Sequence, residues 1–253
     1  MEFELWQYAL LFLAAFSGGF IDAIAGGGGL ICLPALIAVG VPADVALATN
    51  KFQGSFGTFT AALNFVVKKL VNLKEIWLAI LFTFIGAFIG TTTVASLDPS
   101  FLSYLVPFML GAIFLYTLFS PSLGEVEKNP LLKPMIFYIS FGFLLGFYDG
   151  FFGPGTGSFW TFAIVGILGY SIKRAVGQAK VLNFISNIVS LIAFFMAGVE
   201  ILWVAGVVMA VGQIAGGFTG SNMVMKMEAK VIKKLFLTVV GFMIIVLFIK
   251  AFK

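Results

Sequence analysis

The chain has 253 residues, of which 61% are hydrophobic and only 10% are charged, and its net charge is +4. A soluble domain carries about 25% charged residues, and one of this length could not bury so much apolar side chain and keep a wettable surface. With no histidine and one cysteine, the usual ligands of zinc, haem and iron–sulfur sites are lacking, so the sequence predicts no metal site and no cofactor. Its basic residues are not interleaved with aromatic ones as on a nucleic-acid-binding surface, so no nucleic-acid partner is predicted.

Apolar segments follow one another along the whole chain. Backbone polar groups in lipid must be hydrogen-bonded internally, and about 20 residues of helix cross the hydrocarbon layer, so these segments predict membrane helices. The alternation of apolar and polar residues expected of a porin-like barrel is missing. Glu2 and Glu4 precede the first segment where a secretory signal has basic residues, which predicts a retained span. The ten segments are 5–25, 30–40, 43–67, 75–96, 100–119, 134–152, 158–168, 171–197, 201–225 and 231–252.

The chain divides into two similar parts, 1–119 and 134–253, joined by the polar linker 120–133 (SPSLGEVEKNPLLK). Each part has a short apolar segment, 30–40 or 158–168, directly after a glycine-rich stretch. Short, Gly/Pro-interrupted segments at equivalent places in two halves indicate the binding site of a transporter. The matching positions are Asp22 and Asp149, Gly26 and Gly153, Gly28 and Gly155, Lys51 and Lys180, Gly86 and Gly212, and Gly90 and Gly216.

The lysines predict the orientation. If the N-terminus is outside, the main basic clusters fall inside, as the positive-inside rule requires. These clusters are Lys68, Lys69 and Lys74, then Lys173 and Arg174, then Lys226, Lys230, Lys233 and Lys234, whereas Lys250 and Lys253 fall outside. An odd number of crossings in each part inverts the second part relative to the first. The sequence therefore predicts an all-α polytopic membrane protein with two inverted repeats of about five helical segments each, one of them short and broken or re-entrant.

The two glycine-rich stretches predict an anion site. A helix that begins just after such a stretch presents unpaired N–H groups and the positive end of its dipole, and glycine lets a ligand approach the backbone. The alternative is that small residues only allow close helix packing, which is the interpretation favoured for Gly86, Gly90, Gly212 and Gly216. The predicted ligand-binding positions are Gly27, Gly28 and Gly29 in the first part, and Gly155, Thr156 and Gly157 in the second.

Polar residues in the third and eighth segments are the next candidates. Lys51 and Lys180 stand at matching positions within apolar helices, where an ionisable residue costs roughly 3 kcal/mol on insertion scales. The two lysines could neutralise an anion, or they could snorkel to a headgroup. The candidate residues around them are Thr49, Asn50 and Gln53 in the third segment, and Gln178, Asn183 and Asn187 in the eighth.

Asp22 and Asp149 form a third matching pair, each four residues before a glycine-rich stretch. A buried carboxylate tends either to be protonated, which suits proton coupling, or to pair with a lysine. The sequence leaves both roles open: proton coupling, or a salt bridge to Lys51 or Lys180 that holds the broken helices.

The first glycine-rich stretch with its continuation, GGGGLICLPALIAVGVP followed by Ala-x-Ala-Thr-Asn, resembles the TauE/SafE family of membrane transporters. The resemblance extends to GFFGPGTGSFWTFAIVGILGYSIKRAVGQAK in the second part. It implies export of sulfite and of organosulfonate anions such as sulfoacetate across the bacterial inner membrane. It also implies a site around 27–29, 49–51, 155–157 and 178–180.

The function predicted from these features is a secondary transporter that exports a small anion, sulfite or an organosulfonate, by alternating access. No nucleotide-binding motif is present, and no nucleophile–base pair indicates an enzyme. The alternatives are a cation transporter that uses Asp22 and Asp149 as ligands, and a channel or scaffold. The expected partners are the anion and the lipid bilayer, and a homodimer is left open.

Overall fold

The computed structural model describes residues 3–98, 100–102, 105, 108, 129–224, 226–228 and 231. The secondary structure of these residues is helical, with no strand among them. Eight predicted segments are confirmed as helices, with ends within two residues of the prediction. Most residues of the predicted segments 100–119 and 231–252, and of the linker 120–133, lie outside the described residues. The helices are α1 Leu5–Ala25, α2 Gly29–Ala38, α3 Ala43–Val67, α4 Trp77–Ala95, α5 Pro134–Phe151, α6 Thr156–Ala163 continued by a π-helical turn Ile164–Leu168, α7 Ile172–Met196 and α8 Trp203–Val224.

Five of these helices are long and apolar enough to cross a membrane: α1, α4, α5, α7 and α8. The 10-residue α2 and the 8-residue α6 are too short. At 1.5 Å per residue α2 reaches about 15 Å, roughly half of the hydrocarbon thickness. The 25-residue α3 is long enough, but polar residues interrupt its apolar sequence. The described residues therefore form a multi-pass helical membrane protein that contains two short helices.

Glycines bring two pairs of long helices into close contact, α4 with α5 and α1 with α8. A Cβ atom at Gly86 would overlap the carbonyl oxygen of Phe143, and one at Gly216 would overlap that of Phe16. Small residues allow such approach of two backbones. Phe16 and Phe143 stand at the same offset as Asp22 and Asp149. The contacts that Gly86 makes with α5 therefore match those that Gly216 makes with α1. The sequence paired Gly86 with Gly212, which lies one helical turn before Gly216 on α8.

Two apolar clusters fill the interior. The α2 cluster contains the buried residues of α2 with Leu11, Leu47 and Leu202 among others. The α6 cluster contains Trp160, Ile164 and Leu168 with buried residues of the neighbouring long helices.

The long inner helices join the two clusters. Helix α3 begins in the α2 cluster at 45–48 and reaches the α6 cluster at 61–65. Helix α7 begins in the α6 cluster at 175–182 and reaches the α2 cluster at Phe194. The two helices therefore run in opposite directions, and their polar residues lie in a layer between the clusters.

Candidate functional site

The two glycine-rich stretches touch each other in this polar layer. A Cβ at Gly26 would overlap the carbonyl carbon of Gly157, and one at Gly29 would lie 3.1 Å from the Cα of Pro154. The Ser158 hydroxyl donates a hydrogen bond to the carbonyl oxygen of Ala25 over 2.8 Å. The N-terminal ends of the short helices α2 and α6 therefore meet in the interior.

Glycine backbone conformations produce these breaks. Gly26 ends α1 with φ of +83°, and Gly155 precedes α6 with φ of +85°. Side-chain-bearing residues rarely adopt such angles, whereas glycine adopts them without steric cost. A helix leaves its first N–H groups without acceptors in the helix itself. The two breaks therefore bring the positive ends of two helix dipoles to one place. The first-turn N–H groups of Gly29 and Gly157 have no acceptor among the described residues, whereas the others donate to backbone carbonyl oxygens.

Two ion pairs flank the junction, and each joins one part of the chain to the other. The Nζ of Lys51 donates to Oδ1 of Asp149 over 2.7 Å and also to the Asp149 carbonyl oxygen. The Nζ of Lys180 donates to Oδ2 of Asp22 over 2.7 Å. Both lysines are only 1% exposed. This burial excludes snorkelling, because a snorkelling ammonium group would reach water.

Each aspartate also accepts a hydrogen bond on its second oxygen. The Ser186 hydroxyl donates to Oδ2 of Asp149, and the backbone N–H of Gly28 donates to Oδ1 of Asp22 over 3.2 Å. The salt bridges that the sequence left open are therefore present, and they hold the broken helices. Two lysines and two aspartates make the formal charge of this cluster zero, so the positive potential comes from the helix ends.

A cavity of about 40 Å³ lies at the junction. About 10–15 Å³ suffices for one water molecule, so the cavity has room for a small polyatomic ion. Eleven of the predicted residues line it: Asp22, Gly28, Gly29, Asn50, Lys51, Gln53, Asp149, Gly155, Gly157, Asn183 and Asn187.

Five predicted positions do not line the cavity: Gly27, Thr49, Thr156, Gln178 and Lys180. The Thr49 hydroxyl oxygen accepts a hydrogen bond from the N–H of Leu202 over 3.1 Å. The Thr156 hydroxyl donates to the carbonyl oxygen of Gly153 over 2.6 Å. These two threonines stabilise the helices around the site, because their hydroxyl groups are engaged by the backbone.

Lys180 and Gln178 lie next to the cavity on α7. Lys180 reaches the site through Asp22, and its Nζ would lie 3.0 Å from a Cβ at Gly157. The side-chain amide oxygen Oε1 of Gln178 accepts a hydrogen bond from the hydroxyl of Tyr138 over 3.3 Å. Gln178 therefore belongs to the surroundings of the α6 cluster.

Five further residues line the cavity and were not predicted: Gly26, Gly54, Thr58, Gly153 and Gln213. Helical spacing could have identified two of these residues, Gly54 and Thr58, because they follow the predicted Asn50 at intervals of four residues on one face of α3. Gln213 is an isolated polar residue of α8 whose Nε2 donates to the sulfur of Cys32 over 3.2 Å. It has no polar neighbour in the sequence to single it out.

Comparison with known proteins identifies relatives of the whole chain. The family model "Sulfite exporter TauE/SafE" matches residues 11–247. A "Probable membrane transporter protein" of Haemophilus influenzae is 44% identical over 89% of this chain and 88% of its own. "Probable membrane transporter protein YfcA" of Escherichia coli K12 is 40% identical over 91% of this chain and 85% of its own.

No solved structure matches this chain. The family match covers both glycine-rich stretches, both ion pairs and every residue that lines the cavity. The resemblance that the sequence motifs indicated is confirmed over nearly the full length. The chain belongs to the sulfite exporter TauE/SafE family of membrane transporters.

Proposed function

We propose that this protein is a secondary transporter that exports sulfite or a small organosulfonate across the inner membrane by alternating access. The observation that carries the proposal is the cavity where two broken helices meet between two lysine–aspartate pairs. Its volume of about 40 Å³ suits an ion of the size of sulfite, and the family description names sulfite.

The anion would bind to donors that the ion pairs leave available. An ammonium group has three donors, and among the described residues Lys51, which lines the cavity, uses two of them on Asp149. The N–H groups of Gly29 and Gly157, which no described residue accepts, add donors at the positive ends of two helix dipoles. Because the cluster has no net charge, binding of an anion gives the site an excess negative charge. A proton taken up by Asp22 or Asp149 would offset this charge. This gives the aspartates a role in coupling beside the structural pairing.

Alternating access would follow from two inverted repeats. The direction of each helix is given by the order in which it meets the two clusters. Helix α1 passes from the α2 cluster to the α6 cluster, and α5 passes the other way. The same opposition holds for α3 with α7, and for α4 with α8. This supports an inverted relation, in which the α2 cluster and the α6 cluster close the two sides of the cavity and open one at a time.

The orientation with the N-terminus outside has support from the distribution of charge. Lys68, Lys69 and Lys74 lie between the end of α3 and the start of α4, at the α6-cluster side. Lys173 and Arg174 lie at the start of α7, on the same side. The positive-inside rule then puts the α6 cluster toward the cytoplasm.

The cation alternative has less support. A cation would need carboxylate oxygens, and both oxygens of Asp22 and Asp149 already accept hydrogen bonds. A lysine ammonium next to each carboxylate also repels a second cation. The anion hypothesis therefore explains the lysines, which the cation hypothesis leaves without a role in binding.

The test is sulfite uptake into proteoliposomes by a variant that keeps the fold but lacks the buried charge. Lys51→Gln combined with Asp149→Asn removes both charges and leaves side chains that can still hydrogen-bond. We expect uptake to fall by about 100-fold, because a charge-assisted contact of about 2–3 kcal/mol is lost. An inward proton gradient is expected to accelerate uptake by the unmodified protein.

The matched control is Glu75→Gln combined with Arg174→Gln, which neutralises an exposed ion pair of 2.8 Å. This control should transport at the rate of the unmodified protein. If the Lys51/Asp149 variant transports sulfite as fast as the control, the buried lysine has no role in anion transport and the proposal is wrong.

A further inference from the structure

Two residues that line the cavity each carry an amide oxygen without a hydrogen-bond partner among the described residues. These are Oε1 of Gln53 and Oδ1 of Asn183. Both side chains line the cavity, and the residues are 1% and 5% exposed. The Nε2 of Gln53 donates to Oδ1 of Asn50 over 2.8 Å, and Oε1 of Gln53 is the amide atom without a partner.

Unpaired polar atoms of this kind are rare in native structures. A buried acceptor without a donor loses its hydrogen bonds to water and gains nothing in return. More than about 90% of buried polar groups therefore have a partner. The two oxygens lie on different parts of the chain, α3 and α7, and both belong to residues that line the same small cavity. A shared ligand explains both atoms, and that ligand must donate hydrogen bonds.

The remaining cavity groups have the opposite requirement. Lys51 contributes the one ammonium donor that it does not use on Asp149, and Gly29 and Gly157 contribute first-turn N–H groups that no described residue accepts. These groups require acceptor oxygens, as an anion supplies. The cavity is thus complementary to a ligand that carries both an anionic group and at least one O–H or N–H group.

We infer that the substrate is a small anion with its own hydrogen-bond donor, and that Gln53 and Asn183 select it by accepting that hydrogen. Protonated oxyanions and hydroxyl- or amino-substituted sulfonates or carboxylates belong to this class. The same anions without the donor leave the two oxygens unpaired in the complex. A site built to hydrogen-bond a substrate O–H or N–H rejects the analogue that lacks it more strongly than an apolar pocket rejects a missing methylene. This inference rests on the proposed anion transport.

The experiment compares anions that differ by one hydroxyl group, using calorimetric binding to the purified protein in lipid nanodiscs. The probes are acetate against glycolate, and ethanesulfonate against 2-hydroxyethanesulfonate. We expect the hydroxylated member of each pair to bind roughly 10- to 100-fold more tightly, the factor that an unsatisfied buried acceptor costs. In Gln53→Met combined with Asn183→Leu, this preference should shrink to about 3-fold or less.

The matched control is Ser190→Ala. Ser190 lies on α7 and also has an unpaired buried hydroxyl, but it does not line the cavity. This variant should keep the full preference for the hydroxylated anions. Folding of each variant is checked by its thermal transition in the same nanodiscs.

The outcomes separate the inference from the proposed function. If both members of each pair bind equally to the unmodified protein, the selection is absent although anion transport stands. Binding that requires sodium and ignores the hydroxyl group would assign the two oxygens to a cation and also overturn the inference. If no anion binds at all, the proposed function fails and the inference fails with it.

Discussion

At the scale of single residues, the two buried ion pairs carry a large desolvation free energy. The attraction between two buried charges offsets the free energy of removing them from water only if their geometry is good and the remaining lone pairs accept hydrogen bonds. The Lys51–Asp149 pair meets this condition, since Ser186 bonds the second carboxylate oxygen. The side chains of the pair are 2% and 5% exposed. The pair is therefore expected to tolerate joint replacement and to resist the loss of one partner.

Asp149→Asn alone is predicted to lower the free energy of unfolding by about 3–5 kcal/mol, because the Lys51 ammonium stays buried without a counter-charge. Lys51→Gln combined with Asp149→Asn should cost much less than this single change. Chemical unfolding in detergent, with all variants measured in one double-mutant cycle, checks both values.

The exposed Glu75–Arg174 pair is the control. Its side chains are 45% and 30% exposed, so Glu75→Gln should cost no more than about 1 kcal/mol. Equal losses for Asp149→Asn and Glu75→Gln would mean that the buried pair contributes no more than a surface pair.

Local sequence predicted which charged residues matter but could not decide between a salt bridge and proton coupling. Asp22 and Asp149 stood out because carboxylates are rare in apolar segments. Each of them pairs with a lysine from the other half of the chain, 158 and 98 residues away. Such a pairing depends on how the halves pack. Gln213 was missed for the same reason, because it joins the cavity only through the packing of α8 against α1 and α3.

At the scale of helices, the extent of the apolar segments predicted the ends of elements well. The ends of α1 and α3 agree with the prediction because a left-handed Gly26 ends α1 and Pro42 immediately precedes α3. Less was predictable where packing decides. The pattern of apolar residues does not predict the π-helical turn 164–168 after α6. The packing of Gly216 against α1 is likewise visible only in the contacts of the folded chain.

The meeting of α2 and α6 has no room for an added methyl group. A Cβ at Gly157 would lie 2.5 Å from the Cα of Gly26 and 2.8 Å from Nδ2 of Asn183. Gly157→Ala is predicted to push the two short helices apart, to cost about 1–3 kcal/mol of stability through overpacking, and to abolish sulfite transport. The thermal transition and proteoliposome uptake measure these two effects.

Gly166 provides the control for this substitution. It lies in the π-helical turn that continues α6, and nothing lies within 4 Å of a Cβ added there. Gly166→Ala should leave stability and uptake close to those of the unmodified protein. Transport by Gly157→Ala at the rate of Gly166→Ala would show that the close contact of the two glycine-rich stretches is dispensable.

The whole molecule has an asymmetric distribution of charge between its two ends. The basic residues near the helix ends, Lys68, Lys74 and Lys173 among them, lie at the α6-cluster side. Exposed tryptophans at the starts of helices suit the interfacial belts on both sides: Trp6 and Trp203 lie at the α2-cluster end, and Trp77 lies at the opposite end. Charge and aromatic residues together are consistent with two membrane faces, and the positive-inside rule predicts that the α6-cluster face is cytoplasmic.

This assignment predicts which positions a membrane-impermeant maleimide reaches in intact spheroplasts. Lys74 and Glu200 are both exposed and lie at opposite ends of the molecule. In a Cys32→Ala background, which removes the buried native thiol, Glu200→Cys should be labelled in intact cells. Lys74→Cys should be labelled only after the membrane is permeabilised, because the positive-inside rule puts its loop in the cytoplasm. Complete labelling of both variants in permeabilised membranes controls for reactivity, and the reverse pattern in intact cells would place the α6 cluster outside and reverse the predicted orientation.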